Sequence, residues 1–113
     1  MLNNVPDMQP FRVRATGTTS VTATVAAVAD STIFISGVSC QSDLAAGTVT
    51  VAAGGTTIDT IPIGNEKFVV NYGGDGLPGT SGANVTVAIA TATAACSVTV
   101  WGYVIRCKGT KIA

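Results

Sequence analysis

ANVTVAIATATAACSVTVWGYVIR, residues 83–106, is the stretch whose reading decides the fold. Val85, Val87 and Ile89 share one side, and Thr86, Ala88 and Ala90 share the other. That period of two belongs to a β-strand. The second half differs. Cys96, Val98, Val100, Gly102 and Val104 make one apolar face, while Trp101, Tyr103 and Ile105 load the opposite one. The two strands read as a hairpin, although the turn at residues 91–95 has no glycine to shape it. A strand apolar on both faces must be covered on both faces. In a chain of 113 residues the second cover is expected from another subunit.

Outward from this stretch the chain is a series of short alternating segments. Val21, Ala23 and Val25 alternate with Ser20, Thr22 and Thr24 within residues 18–29, so β-structure is favoured despite the alanines. Asp30-Ser31 is a turn signal. Residues 32–40 form the next strand, with Ile33, Ile35 and Gly37 opposite Phe34, Ser36, Val38 and Cys40. Residues 41–47 read as a loop. Val49 and Val51 point inward from residues 48–53, Gly54-Gly55 turns the chain, and residues 56–63 return as its partner. Pro62 cannot donate to a ladder, which places that strand at an edge or ends it there. Phe68, Val70 and Tyr72 share one face of residues 66–72. A glycine-rich loop, residues 73–82, follows.

Before all this, residues 1–17 hold Pro6 and Pro10 and little apolar periodicity. They are expected as an extended arm, ending in a short edge strand where Arg12 and Arg14 alternate with Phe11, Val13 and Ala15. Residues 18–113 are the folded domain. Many short strands at spacings near ten residues, with no amphipathic helix, predict an all-β, single antiparallel β-sandwich with jelly-roll topology.

The composition narrows function by exclusion. Charged residues make up 11%, and six basic side chains balance six acidic ones. No field exists to gather nucleic acid or an anionic membrane, so neither is an expected partner. Mean hydropathy is +0.49, as suits a protein packed against neighbours. The N-terminal residues show no signal peptide, and no apolar run is long enough to span a bilayer. Histidine is absent, which removes Ser-His-Asp and Cys-His nucleophiles and imidazole metal ligands. Cys40, Cys96 and Cys107 are too widely spaced for a metal knuckle. They read as small buried hydrophobes of a protein folded in a reducing cytoplasm, ahead of a Cys40–Cys96 bridge. Asp43, Asp59, Glu66 and Asp75 are the only acids placed for a glycosidase-type pair, and nothing in the sequence brings two together. Residues 73–76, GGDG, have neither the lysine nor the helix of a phosphate loop. No enzyme activity, metal or cofactor is expected.

Three segments, STIFISGVSC, TVTVAAGGTTIDTIPIG and FVVNYGGDGLPGTSGANVTVAIATATAACSVTVWGYVI, together resemble small β-sandwich virion proteins of tailed bacteriophages. The shared features are a glycine-turn hairpin, a Gly/Pro loop, a G-x-x-V-x-V strand and a closing aromatic strand, over residues 31–106. The resemblance implies a head-decoration (cement), head-fibre or tail-associated protein, commonly a homotrimer. It implies no catalytic residues. The expected location is the virion, after folding in the host cytoplasm, and the expected partner is the major capsid protein or another virion protein. Trp101, Tyr103 and Ile105 are the expected subunit interface. Pro6, Pro10, Phe11, Arg12 and Arg14 are the expected capsid attachment. The alternative is a glycan- or receptor-binding module of a fibre, using residues 73–82 with Trp101 and Tyr103.

Overall fold

The structure, a computed structural model, describes residues 8–42, 47–64, 66–74, 76–89 and 95–106, with Glu66 described by its backbone alone. Pro6, Asp43, Asp75, Cys107, Lys108, Lys111 and the expected turn at residues 91–94 lie outside the described residues.

Every strand pairing is antiparallel, and the strands build two sheets packed face to face. Their order is β1 (Met8–Gly17), β2 (Val21–Val25), β3 (Ser31–Ser42), β4 (Gly47–Ala53), β5 (Thr56–Ile63), β6 (Glu66–Asn71), β7 (Leu77–Pro78), β8 (Val85–Ile89) and β9 (Cys96–Arg106). One sheet runs β1-β9-β3-β6, with the short β7 beside β3, and the other runs β2-β8-β4-β5. The core lies between them, where Val21, Val49, Val51, Val85 and Val87 of the second sheet meet Ile33, Ile35, Val38, Val98 and Val100 of the first. Thr22, Thr24, Thr48, Thr50 and Thr86 face away from that core, so threonine supplies the outer surface of the second sheet without charge.

The expected pairing of residues 83–90 with 96–106 as a hairpin does not occur. β8 pairs with β2 and β4, whereas β9 pairs with β1 and β3. The chain crosses from one sheet to the other between them. A hairpin would have left the valines of both strands in one layer; the crossing sets Val85, Val87 and Ile89 opposite Val98 and Val100, with all five buried.

The arm expected over residues 1–17 is, from Met8 onward, a ten-residue edge strand. It is paired with β9 over its whole length, Met8 opposite Ile105 and Gly17 opposite Cys96. Phe11, Val13 and Ala15 face inward and pack on the core. Phe11 is half-buried against the core and opposite Gly102.

The face expected for β3 also changes. The register shifts between Ile35 and Gly37, so Ser36 is an extra residue in a β-bulge. Val38 and Cys40 therefore join Ile33 and Ile35 inside, all four being buried. Opposite the bulge sits Gly102. A Cβ there would meet the Phe34 carbonyl oxygen and come within 2.9 Å of the Ser36 backbone nitrogen. Only glycine admits the approach of these two backbones.

Gly54 and Gly55 both have positive φ, as the tight β4–β5 turn requires. Pro62 lies on β5, an edge strand, as expected, and β5 is further blunted by a register shift beside Val51 and Asp59. Across the open side of the sandwich the Tyr72 hydroxyl donates to the Asp59 carboxylate at 2.5 Å, tying β5 to the end of β6. Burial, with that carboxylate beside it, raises the phenol's pKa.

Cys40 and Cys96 are both free and buried. They occupy diagonal positions on adjacent strands, Cys40 facing Val98 while Cys96 faces Ser42, a longer separation than a disulfide tolerates. Burial, with Cys96 close by, pushes the Cys40 thiol from an ordinary 9.0 up to about 11.

Gly102→Ala is expected to lower unfolding stability by about 2–3 kcal/mol, read from urea unfolding followed by circular dichroism, because the methyl has only backbone to displace. The pH dependence has a definite sign. The unfolded Cys40 thiol ionises before the folded one, so its contribution is complete below pH 9.0 and is lost as pH rises towards about 11. Cys40 should therefore cost roughly 2 kcal/mol of stability across that window, with the raised Tyr72 phenol adding to the fall above pH 10.0, and Cys40→Val should lessen the fall; an unchanged slope just above pH 9.0 in the variant would refute the assignment.

Candidate interaction face

β9 lies between β1 and β3, which makes its outward side chains the middle of the first sheet's outer face. Cross-strand partners in register share a face. Pro10 stands opposite Tyr103, Arg12 opposite Trp101 and Arg14 opposite Thr99 on the β1 side. On the β3 side Phe34 stands opposite Tyr103, Gly37 opposite Trp101 and Ser39 opposite Thr99. β6 adds Lys67 and Val69, paired with Gln41 and Ser39.

Trp101 is half-buried, and the reason lies beneath it. A Cβ on Gly37 would collide with the indole, whose Cε2 lies 2.7 Å from that position. The ring is laid across the bare backbone of the β3 bulge. Tyr103 is held differently. Its ring stacks on Phe34 with centroids 5.4 Å apart and planes 10° from parallel, and its hydroxyl donates to the Gly74 carbonyl at 3.3 Å. Ile105 is half-buried in register between Met8 and Thr32.

The two expected sites therefore coincide. Trp101, Tyr103 and Ile105 share one face with Pro10, Arg12 and Arg14, while Phe11 lies on the opposite side of β1 and Pro6 lies outside the described residues. The face also contains Phe34, Ser39 and Val69, which the sequence reading did not single out. Val69 is 56% exposed and Met8 54%, high values for side chains so apolar. Arg12, Arg14 and Lys67 give the face positive charge, and no acid stands on it among the described residues.

A groove of about 540 Å³ runs beside the indole, lined by Pro10, Phe11, Arg12, Ser39, Val69, Trp101 and Gly102. A second groove of about 370 Å³ lies near the far end of β9, where Thr16, Gly17, Thr18, Gln41, Ala95, Cys96 and Ser97 bring no charge to it.

The glycine-rich loop is bound to the sheet rather than projecting from it. β6 covers β3 from Gly37 to Ser42, and the loop covers the remainder. The Tyr72 N–H donates to the Ser36 carbonyl at 2.9 Å, the Gly79 N–H to Ile33 at 2.8 Å and the Gly82 N–H to Ser31 at 2.8 Å. Leu77 and Pro78 pair with Ile35 and Phe34. Gly73, Gly76 and Gly82 take positive φ along this path.

Of the acids weighed for catalysis, Asp59 accepts hydrogen bonds from the Tyr72 hydroxyl and the Thr60 N–H. Asp43, Asp75 and the Glu66 side chain lie outside the described residues. No group of three His, Cys, Asp or Glu stands together among the described residues.

Gly37→Ala should displace the indole without unfolding the sandwich. Since Trp101 is the only tryptophan, the expected readout is a red-shifted emission maximum with unchanged far-ultraviolet circular dichroism. An unmoved maximum would mean that the ring does not lie on Gly37.

In comparisons with known proteins no family model matches the chain, and no curated protein and no solved structure matches it significantly.

Proposed function

We propose that the protein is a non-enzymatic virion structural protein of a tailed bacteriophage, a capsid decoration or cement protein that assembles as a homo-oligomer. The observation that carries this reading is the outer face of the first sheet. It holds Trp101, Tyr103 and Ile105 with exposed Val69, Met8 and Pro10, so apolar surface is left at the centre of a sheet. Such a patch, bordered by Arg12, Arg14 and Lys67, has the apolar middle and polar rim of a protein contact. The low charge of the chain and the resemblance of residues 31–106 to phage virion proteins support it. We further propose a jelly roll. With β7 set aside, eight strands fall into two four-stranded sheets, each joining early strands to late ones, as two interleaved Greek keys would.

Light scattering on the purified chain is the direct test of assembly. A multiple of 11.3 kDa at micromolar concentration is expected, a trimer first. Val69→Glu, on the face but outside the core, should lower the mass by dissociation and leave the circular dichroism spectrum intact. A stable monomer in the unaltered protein would overturn the oligomer.

A second reading, a glycan- or receptor-binding module, is favoured by the groove beside Trp101. It no longer draws on residues 73–82, whose backbone is bonded to β3.

A further inference from the structure

We propose that the groove beside Trp101 is a subsite for an acidic sugar, with the ring stacked on the indole and its carboxylate paired to Arg12. The proposal rests on the second reading above and names its ligand class.

Three features of the groove converge on that chemistry. The indole occupies the space where a Gly37 side chain would stand, and it also borders the groove. A pyranose offers a flat patch of C–H groups to such a surface, burying apolar area while its hydroxyls stay at the rim. Arg12 stands directly opposite Trp101 in the β1–β9 register and, among the described residues, is the only charged side chain lining the groove. Its planar fork of donors matches a carboxylate, and two parallel N–H···O contacts fix orientation as well as charge. Ser39, on the other wall, offers a hydroxyl that both donates and accepts, the complement of a sugar hydroxyl.

Charge chooses between acidic and neutral sugars. Arg12, Arg14 and Lys67 share this face with no acid among the described residues, so these three cations favour a carboxylate over a neutral group. A volume of about 540 Å³ is within the range of small-ligand clefts and suits one or two sugar rings. A nucleic-acid strand fits less well. Its affinity would come from a run of phosphate contacts, and the chain's six basic side chains are balanced by six acidic ones.

The test uses the full chain and follows the fluorescence of Trp101 with calorimetry in parallel. The probes are tetragalacturonate, its fully methyl-esterified form and sialyllactose, with a thymidine oligonucleotide and polyaspartate as anions without a sugar acid. Saturable quenching by an acidic sugar is expected, with binding about tenfold or more weaker for the neutral ester, the loss of one charge-assisted contact. Arg12→Gln should erase that preference while retaining weak binding, and Trp101→Ala should abolish the calorimetric signal in a chain that still folds. Equal affinity for acid and ester would overturn the acidic assignment and leave a glycan site standing. Equal binding of polyaspartate or the oligonucleotide would overturn the sugar. Binding of the neutral ester alone would overturn the acidic assignment only, and no saturable change with any of the three saccharides would overturn both this proposal and the reading beneath it, returning the face to protein contacts.

Discussion

β3 and β9 approach at Phe34–Ser36 and Gly102 so closely that no Cβ fits between them, and the surrounding structure depends on this contact. These two strands are the longest of the fold and stand at the centre of the first sheet. The extra residue at Ser36 changes which side of β3 faces the core, turning Val38 and Cys40 inward alongside Ile33 and Ile35. It also pushes the β3 backbone towards β9, where only a residue without a Cβ fits. On the outer side the same irregularity presents Gly37, and the indole of Trp101 settles on it. Packing inside and the aromatic platform outside thus have one geometric origin.

The two outer faces of the sandwich differ as a consequence. The second sheet shows threonine and alanine, side chains that need no cover. The first shows aromatic and aliphatic groups beside arginine and lysine. The first sheet's outer face thus combines exposed apolar surface with positive charge, the mixed character on which the proposed readings rest. The open side between β5 and β6 is closed by the Tyr72–Asp59 hydrogen bond, and the free edge of β3 by the glycine-rich loop. Those features have a structural explanation in the fold, which concentrates the functional question on the outer face of β9.

Much of this was legible in the residues. Alternation in β4 placed Val49 and Val51 inward, alternation in β2, β8 and β9 set the valines on one face without deciding which way the β9 face turns, and Gly54-Gly55 and Pro62 marked a turn and an edge. Trp101, Tyr103 and Ile105 were legible as a surplus face because β9 is apolar on both sides. The bulge was not read: Gly37 inside a strand is compatible with one, but alternation alone does not place the extra residue at Ser36. Phe34, Ser39 and Val69 became neighbours of Trp101 only through that bulge and through the pairing of β6 with β3. Phe11 looked like part of an extended arm because Pro6 and Pro10 leave little apolar pattern before it, although Pro10 itself lies within β1.

By itself, then, the sequence determined an all-β chain of low charge with one strand demanding two covers, because side-chain period and composition are local properties that no partner strand alters. Tertiary structure alone decided that β8 and β9 belong to opposite sheets, that residues 8–17 complete the first of them, and that Arg12 stands across from Trp101. Strand pairing joins residues far apart in the chain, and the free energy that selects one partner over another comes from burying both faces at once. That quantity exists only when the sheets have met.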